Sequence, residues 1–463
     1  MKVCVIGTGY VGLVTGTGLA EMGNQVVCVD NDEAKIARLK QGHIPIYEPG
    51  LEELLTTNLK EDRIRFTTDL DRAVKESQVC MIAVGTPQDE DGSADLSVVF
   101  SVARDIAVAM NGYKVIATKS TVPVGTGQNI HAQIAEITHH PFAVVSNPEF
   151  LKQGEAVDDF LNPDRVIVGT DDDQAAELMR ELYAPFLRTG NPVIFMDRRS
   201  AEMTKYAANA FLATKISFIN EMANLCEHVG ADIEQVRIGI ASDQRIGPKF
   251  LFPGLGYGGS CLGKDIKALI NTAQSYGYNT NLLAEADTIN HQQRLRFLDR
   301  IVAYYDGDVS QKTFALWGLA FKPRTDDMRY APSRTLIEGL LARGAKIQAF
   351  DPAAIETARA MYGDRIRYMT HAYEALVDAD ALLLVTEWNE FRRPDYDRMK
   401  QLLKAPVVFD GRNQFDYDRM QRRGFIYHRV GRVDDPFTRP VVESDPVPPS
   451  ASVIPVVMGS EEG

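Results

Sequence analysis

The chain has 463 residues, of which 45% are hydrophobic and 24% are charged. This is the composition of a soluble globular protein, and at roughly 150 residues per domain the length predicts about three domains. The formal net charge of -13 argues against nucleic acid or an anionic membrane as the main partner. No run of about eighteen apolar residues occurs, so no membrane-spanning helix is predicted. Any phosphate group that the protein binds must be held by local groups.

Short runs rich in Val and Ile alternate with helix-length segments up to about residue 195. These runs are KVCVIG, QVVCVD, IRFTTD, VCMIAVGTP, KVIATKS, FAVVSNPEF and RVIVGT. Strands without polar alternation, separated by helices, indicate a parallel sheet that is covered on both faces. Residues 1–195 are therefore predicted to form a doubly wound α/β domain of the Rossmann type.

A long helix is predicted from Ser200 onward, because about thirty residues there contain neither Pro nor an internal Gly. We interpret it as a spine that joins two domains and as a dimer surface within a helical centre, 196–305. A second alternating block predicts another Rossmann-like, doubly wound α/β domain over 306–432. The segment 433–463 is polar and rich in Pro, and it is predicted to be disordered.

A glycine-rich turn, GTGYVG, follows the first strand and opens a helical pattern. The next strand ends in Asp30, eighteen residues after Gly12. Bare glycines let the backbone approach a pyrophosphate, and a carboxylate at that strand end accepts hydrogen bonds from a ribose. A dinucleotide site is favoured over a tight turn without a ligand, and the carboxylate favours NAD over NADP. The residues predicted for this site are Gly7, Gly9, Tyr10, Val11, Gly12, Asp30 and Lys35, the last as a partner of Asp30 or of the ribose.

Polar residues also follow three other strands of this block. Thr86 and Thr121 are expected in the same crevice, because ligands lie beyond the carboxyl ends of parallel strands. Their alternative is an ordinary role as turn caps. Glu149 follows the strand FAVVS and is a candidate base, with a helix cap or a surface charge as the alternative.

The five cysteines are odd in number, widely spaced and without metal-ligand spacing: Cys4, Cys28, Cys80, Cys226 and Cys261. Neither a disulfide framework nor a metal site is predicted, and a reducing cytoplasm is the expected location.

Cys261 alone lies in a glycine-rich turn, GYGGSCLGKD, just before a helical pattern. A helix N-terminus and the neighbouring Lys264 are expected to favour its thiolate, which predicts a nucleophile. A phosphate-binding P-loop is rejected because Asp265 stands where Ser or Thr should bind magnesium.

Lys205 and Asn209 lie four residues apart on the predicted long helix and share a face. Their apolar neighbours make an isolated lysine unexpected there. Two such donors could polarise the oxygen of a reacting carbonyl, although a solvated stripe is the ordinary alternative.

Together these motifs resemble those of the UDP-glucose 6-dehydrogenases, within the UDP-glucose/GDP-mannose dehydrogenase family, from Met1 to about residue 432. The motifs are VIGTGYVG, STVPVGT, NPEFL, RIGPKFL, GYGGSC with KD, GLAFKPRTDDMR, TEW with FR, and DGRN. The resemblance implies an N-terminal NAD domain, a central helical dimer domain and a C-terminal domain for the UDP part. It also implies a double oxidation of the sugar C6 alcohol to a carboxylate, with two NAD used in turn.

The resemblance also implies roles for single residues. The implied catalytic residues are Cys261 as nucleophile, Lys205, Asn209 and Asp265 around C6, and Glu149 and Thr121 for the water of hydrolysis. Further implied cofactor contacts are Thr86, Thr121, Lys264 and Arg329. Implied contacts to UDP-glucose are Glu149, Phe150, Leu151, Lys152, Gln153, Lys205, Asn209, Phe252, Gly256, Tyr257, Gly258, Lys322 and Arg412, with Arg245 supplied by the partner subunit.

One residue departs from the family pattern. The family commonly has a second acid four residues after the acid of NPEF, and this chain has Gln153 there, a neutral amide that still forms hydrogen bonds. The nearest alternatives are GDP-mannose 6-dehydrogenase and the UDP-N-acetyl sugar dehydrogenases. A β-hydroxyacid dehydrogenase would need neither Cys261 nor a second α/β domain. A catalytically silent nucleotide-sugar sensor would be expected to lose the nucleophile or its Lys and Asn partners.

Overall fold

The computed structural model describes residues 1–89, 92–189 and 192–432 of the chain, so the predicted disordered segment 433–463 lies outside the described residues. The strands are β1 (Lys2–Ile6), β2 (Gln25–Val29), β3 (Ile64–Thr67), β4 (Val79–Ile82), β5 (Lys114–Thr118), β6 (Phe142–Ser146), β7 (Val166–Gly169), β8 (Val193–Met196), β9 (Thr313–Trp317), β10 (Lys346–Phe350), β11 (Arg367–Tyr368), β12 (Ala381–Leu384), β13 (Val407–Asp410) and β14 (Ile426–Arg429). The helices are α1 (Tyr10–Glu21), α2 (Glu33–Lys40), α3 (Leu51–Lys60), α4 (Leu70–Glu76), α5 (Ser97–Ala109), α6 (Thr126–Ile137), α7 (Ala156–Leu161), α8 (Asp173–Tyr183), α9 (Arg198–Val229), α10 (Ile233–Ala241), α11 (Leu262–Ser275), α12 (Asn281–Tyr304), α13 (Pro332–Leu341), α14 (Ile355–Tyr362), α15 (Tyr396–Leu402) and α16 (Tyr417–Arg422). Short 3-10 helices cover Ala184–Thr189, Gly363–Arg365, Ala372–Leu376 and Asn389–Phe391.

The N-terminal part of the chain forms a sheet in the order β3-β2-β1-β4-β5-β6-β7-β8. The strands β1 to β6 are parallel, and apolar cores lie on both faces of the sheet. The predicted doubly wound architecture is confirmed. Because the strand order reverses between β1 and β4, the carboxyl ends of these two strands border the crevice in which such sheets bind ligands.

The strand β7 corrects the prediction of a purely parallel sheet, since it runs antiparallel to β6. The connection between them contains only the six-residue helix α7, about 9 Å long. That helix is too short to carry the chain back along β6, whose five residues span about 17 Å. The chain therefore re-enters the sheet from the carboxyl edge. The edge strand β8, parallel to β7, was not predicted.

The helix α9 confirms the predicted long helix, with 32 residues and a length of about 48 Å. It begins at the Asp197 cap, whose carboxylate accepts a hydrogen bond from the Ser200 amide, and it ends at Gly230, which has a left-handed φ of +77°. Its first turns contact β6 and β7, and its last turns enter the core of the C-terminal unit. One helix therefore spans both α/β units.

The C-terminal part of the chain forms a fully parallel sheet in the order β11-β10-β9-β12-β13-β14. This confirms the second predicted α/β unit, although the edge strands β11 and β14 were not predicted. The turn after β9 begins with Gly318 at a φ of +98°, close to the +99° of Gly7 after β1. No helix in the described part of the chain is long and apolar enough to cross a membrane.

Candidate active site

The three glycines of the turn after β1 have different physical roles. A Cβ on Gly7 would lie 2.6 Å from the Ala83 carbonyl oxygen, and a Cβ on Gly12 would lie 1.8 Å from the Gly7 carbonyl oxygen. These two glycines let the turn pack against β4 and against itself. Gly9 caps α1, and a Cβ there would meet no atom within 4 Å. The open space lies at the start of α1, at Tyr10 and Val11, where the free backbone donors of a helix N-terminus can bind an anion.

Asp30 lies beside this turn at the end of β2. Its Oδ2 atom accepts hydrogen bonds from the Thr8 amide at 2.9 Å, the Thr8 hydroxyl at 2.6 Å and the Lys35 ammonium at 2.9 Å. Partial burial alone would raise the pKa of Asp30, but these hydrogen bonds lower it to about 2. Asp30 is therefore ionised at neutral pH, and Lys35 is its ion-pair partner, one of the two roles predicted for that lysine.

Thr86 and Thr121 meet at the ends of neighbouring strands, as predicted. The Thr86 hydroxyl donates to the Thr121 carbonyl oxygen at 3.0 Å. Both residues lie at the carboxyl edge of the sheet that also carries the glycine turn. An open helix N-terminus and an ionised carboxylate at this edge fit the pyrophosphate and ribose of a dinucleotide.

Lys205 and Glu149 form a buried ion pair between α9 and the end of β6, with 3.3 Å between Nζ and Oε1. The Lys205 ammonium also lies 5.2 Å from the centroid of the Phe150 ring, and the Leu151 amide donates to the other oxygen of Glu149. The solvated stripe that was the alternative for Lys205 is excluded, because the residue is only 5% exposed.

Asn209 lies one turn further along α9 and contacts Asp265 on α11. The Asn209 amide donates to Asp265 Oδ2 at 2.6 Å, while the Lys264 ammonium pairs with Oδ1 at 2.7 Å. Asp265 is buried. The structure therefore brings Lys205, Asn209 and Asp265 close together, next to the N-cap residue of α11.

That residue is Cys261, the N-cap of α11 and the one exposed cysteine of the five. The turn before it is held by the C-terminal unit. The Gly259 amide donates to the Arg329 carbonyl oxygen at 2.8 Å, and a Cβ on Gly258 would lie 2.6 Å from the Tyr330 carbonyl oxygen. Cys261 therefore faces the N-terminal unit from a turn that the C-terminal unit supports.

The predicted stabilisation of the Cys261 thiolate is wrong for this arrangement. The pKa of Cys261 is raised because surrounding protein atoms exclude water from the sulfur, although the residue is accessible, and because Glu149 and Asp265 face it with negative charge. Lys205 and the Ser260 hydroxyl act in the opposite direction. The lysine on which the prediction relied, Lys264, is already paired with Asp265. Cys261 is therefore expected to be protonated at neutral pH in this arrangement.

Gln153 and Arg329 meet at a shared partner, Asp327. The Gln153 amide donates to Asp327 Oδ2 at 3.2 Å, and the Arg329 guanidinium binds both oxygens of the same carboxylate. Arg329 also interacts electrostatically with Cys261. The neutral amide of Gln153 thus links the loop after β6 to the loop that carries Arg329.

Two lysines lie around the loop after β6. Lys152 pairs with Glu155 and Asp159, each at 3.0 Å. Lys322 makes no ion pair within the part of the chain that the structure describes, and burial chiefly lowers its pKa. Lys322 is only partly exposed and is not neutralised by a direct ion pair within the described residues, so its ammonium could pair with an anionic ligand.

The segment from Phe252 to Gly258 lies against Arg412. The Arg412 guanidinium donates to the carbonyl oxygens of Val385 and Phe321, and its Cδ lies 3.6 Å from where a Cβ on Gly254 would be. Asn290 orders the rest of the segment: its Oδ1 accepts from the Tyr257 amide at 2.7 Å and would lie 2.3 Å from a Cβ on Gly256.

Two residues predicted to contact the substrate lie outside the recess formed by Cys261, Lys205, Asn209 and Asp265; for Arg245, which was predicted to act in the partner subunit, this does not test the prediction. Arg245 is exposed and pairs with Asp243 at 2.6 Å. The Phe252 ring is 62% exposed and carries the Arg237 guanidinium over its face.

Comparison with known proteins identifies the family of the chain. Residues 1–187, 199–292 and 315–417 match the NAD binding, central and UDP binding domains of the UDP-glucose/GDP-mannose dehydrogenase family. The chain belongs to this family. It is 49% identical to a UDP-glucose 6-dehydrogenase of Pseudomonas aeruginosa, over 93% of this chain and 98% of that protein. It is 48% identical to the UDP-glucose 6-dehydrogenase TuaD of Bacillus subtilis, over 93% of each chain. A solved UDP-glucose dehydrogenase from Pyrobaculum islandicum superimposes with a TM-score of 0.86 at 36% identity, covering 93% of this chain and 98% of that one.

Membership in the family assigns NAD as the cofactor, and the N-terminal turn fits it. The space at Gly9 admits the pyrophosphate, and Asp30 lies where the adenosine ribose is held in such domains. The ionised Asp30 would also repel the 2′-phosphate of NADP.

Sequence reasoning missed buried charged residues near the site, among them Glu48 and Lys119. Glu48 accepts hydrogen bonds from the amides of Gly154 and Ala156 and from the Tyr10 hydroxyl. These bonds connect α1, the helix at the NAD site, to the loop after β6. Lys119, at the end of β5, is buried, and its pKa is lowered to about 8 by burial and by Lys205, against the effect of Glu149. A lysine directly after the apolar strand KVIAT was the available sequence signal.

The glycine turn gives a matched pair of substitutions. Gly9→Ala is expected to fold with an unchanged thermal midpoint, because the new methyl meets no atom. It should weaken NAD binding about tenfold or more, since the methyl occupies the space of the pyrophosphate. Gly12→Ala should instead lower the thermal midpoint, because its methyl overlaps the Gly7 carbonyl. Fluorescence titration with NAD and thermal unfolding measure the two effects, and equal loss of stability in both variants would contradict this assignment.

Asp30→Ala is expected to weaken NAD binding by about 10- to 100-fold, the effect of losing charge-assisted hydrogen bonds. It should also relax the rejection of NADP, because it frees the Lys35 ammonium for the 2′-phosphate. The double variant with Lys35→Ala is the control, and it should lose the gain for NADP. Steady-state kcat/KM for both cofactors measures this, and equal use of NAD and NADP by the unmodified protein would contradict it.

Proposed function

We propose that the protein oxidises the C6 alcohol of UDP-glucose to the carboxylate of UDP-glucuronate with two NAD in turn. The observation that carries this proposal is the cluster around Cys261. An accessible thiol, two buried donors (Lys205 and Asn209) and two buried carboxylates (Asp265 and Glu149) lie between a NAD binding domain and a UDP binding domain.

The chemistry needs a way to retain the intermediate aldehyde. NAD, when bound, supplies the hydride acceptor for each oxidation. The Cys261 sulfur adds to the aldehyde carbon and gives a thiohemiacetal that still carries a hydrogen on C6. Since Cys261 is a thiol at rest, its proton must leave during this step, and we assign Asp265 or Glu149 as its acceptor because both carboxylates face the sulfur.

Lys205 and Asn209 are assigned to the oxygen on C6. Both are donors on one face of α9, and each donor to such an oxyanion is worth roughly 3 kcal/mol. After the second oxidation the sugar is a thioester on Cys261. Glu149 and Thr121 are assigned to the water that releases the acid, since both follow strands at the carboxyl edge of the sheet and Glu149 pairs with Lys205.

The nucleotide is assigned to the C-terminal side of the recess. Lys322 supplies an ammonium without an ion pair in the described chain, and Arg412 lies beside the segment from Phe252 to Gly258. In a protein of net charge -13, such local cations are what a pyrophosphate needs.

We also retain the division of the chain into domains at 1–195, 196–305 and 306–432. We retain a cytoplasmic location as well, which the free cysteines support.

The second α/β unit does not repeat the dinucleotide site. Asp351 ends β10 as Asp30 ends β2, but it is only 2% exposed. It accepts hydrogen bonds from the amides of Leu319 and Ala320 and from the indole of Trp388. No helix begins at the turn after Gly318, since α13 starts at Pro332. These contacts leave this unit for the nucleotide sugar and support one NAD site per chain.

The proposal is tested with the purified protein, UDP-glucose and NAD. NADH absorbance should rise to two equivalents per UDP-glucose, with UDP-glucuronate as the product. Turnover of GDP-mannose with comparable kcat/KM would move the assignment to the GDP-mannose enzymes, and no turnover of either would overturn it.

Cys261→Ala tests the covalent step. This variant should bind both ligands, while the formation of UDP-glucuronate falls by roughly 10³-fold or more, as when other enzymes lose a nucleophile. Cys226→Ala is the control, because Cys226 is buried in the core of the C-terminal unit. Calorimetry measures binding and chromatography measures the product. Formation of UDP-glucuronate at the unmodified rate would leave a hydrated aldehyde as the oxidised species.

We propose that α9 also forms the dimer. Phe211, Phe218, Leu225 and Val229 are 46–68% exposed and lie on one face of α9, opposite Lys205 and Asn209. The seven-residue spacing of the first three is that of helices that pair along their length. A second copy of α9 would cover this stripe, and we assign the exposed Arg245, which pairs with Asp243 in its own chain, to the partner's recess.

Phe218→Asp is expected to convert the dimer into a monomer, because it places a charge in the middle of the apolar stripe. Val108→Asp, at an exposed apolar position on α5, is the matched control and should leave the mass unchanged. Sedimentation velocity measures both. A monomeric unmodified protein, or a Phe218→Asp variant with an unchanged mass, would contradict a dimer formed through this stripe.

A further inference from the structure

Glu202 is a buried carboxylate on α9 that has no part in the chemistry described above. It lies one turn before Lys205 and is only 3% exposed. Its carboxylate accepts hydrogen bonds from the Gly125 amide at 2.6 Å, the Gly127 amide at 2.8 Å and the Ser146 hydroxyl at 3.0 Å. All three donors belong to segments that lead to proposed catalytic residues.

The two amides lie at the N-terminus of α6. Its N-cap residue, Gly125, has a φ of +99° and no side chain with which to cap the helix. Free amides at a helix start need an acceptor, and a negative charge there is favoured by the helix dipole. Glu202, which lies on α9, supplies both the acceptor and the negative charge. The loop that it fixes in this way is the one that carries Thr121, four residues before Gly125.

The third donor, Ser146, is the last residue of β6 and lies three residues before Glu149. One carboxylate therefore touches the segments that carry Thr121 and Glu149, and it is itself attached to the helix that carries Lys205. The Lys205–Glu149 ion pair of 3.3 Å lies directly beyond these contacts.

Maintaining a charge at this place is costly. Burial raises the pKa of Glu202, although the Gly125 and Gly127 amides, the Ser146 hydroxyl and Arg198 act against the shift. Arg198, on the same helix, makes its ion pair with Asp171 at 3.1 Å. Glu202 is thus held by hydrogen bonds from neutral groups, which is an arrangement with strict geometry.

We propose that Glu202 is a positioning residue of the oxidation, which sets Thr121, Glu149 and Lys205 at their mutual distances. This inference rests on the proposed function, because it assigns those three residues to the reaction. In Glu202→Gln the amide oxygen can accept from one of the two backbone amides, while its NH₂ group opposes the other. The loop before α6 or the end of β6 must then move, and displacements near 1 Å at a reacting centre cost about 100-fold in rate.

The test compares Glu202→Gln with Glu136→Gln, the same change at an exposed position on α6. Each rate is divided by the concentration of folded protein, which is measured as the fraction of chains whose four buried cysteines stay unreactive toward an alkylating agent. We expect kcat per folded chain to fall about 10- to 100-fold in Glu202→Gln. The dissociation constants for UDP-glucose and NAD should stay within about threefold, because no ligand contact is removed. Hydrogen exchange of the Gly125 and Gly127 amides should become faster, and the control should show none of these changes.

Ser146→Ala is the second variant, and it decides the question if Glu202→Gln does not fold. It removes one donor and leaves the backbone contacts, so kcat should fall by a smaller factor with a normal fold. A normal kcat per folded chain in both variants, even with a lower thermal midpoint, would overturn the proposal and leave Glu202 as a stabilising cap. Failure of the proposed function looks different: the unmodified protein would not oxidise UDP-glucose, whereas the amides of Gly125 and Gly127 would still lose protection in Glu202→Gln.

Discussion

The structure depends on one unusual helix, because α9 buries its polar face and exposes an apolar one. Glu202, Lys205 and Asn209 are all less than 9% exposed, and a buried polar group is costly unless it is paired. Each finds its partner in a different segment: the start of α6, the end of β6 and the start of α11. Pairing these three side chains therefore brings the N-terminal sheet and the turn of Cys261 to the same side of α9.

The same constraint sets the electrostatics of the recess. Two lysines, Lys119 and Lys205, and two carboxylates, Glu149 and Asp265, lie around a region from which water is largely excluded. The carboxylates and the loss of water keep Cys261 protonated in the resting protein. Such a thiol becomes nucleophilic only as its proton leaves, so a nearby carboxylate is needed in the mechanism proposed above.

The two α/β units show how one fold serves two uses. Each has a left-handed glycine after its first strand and an aspartate after its second. In the first unit Asp30 keeps one oxygen near the surface and the helix begins at once, so a dinucleotide can approach. In the second unit Asp351 already accepts hydrogen bonds from the backbone amides of Leu319 and Ala320 and from the Trp388 indole. The side chains around a common turn decide which ligand the turn can accept.

The sequence by itself determined the α/β class, the long helix, the glycine turn with its carboxylate and the isolated position of Cys261, because each depends on local spacing and hydrophobic period. It could not determine the direction of β7, which follows from the short reach of α7, or the edge strands, which have few neighbours to bury. The roles of Glu48, Lys119 and Glu202 also came only from the tertiary structure, since nothing near them in sequence is their partner. The thiol state of Cys261 was decided largely in the same way: burial of its sulfur raises the pKa, Glu149 after β6 adds to the effect of the local Asp265, and Lys264 is paired with Asp265.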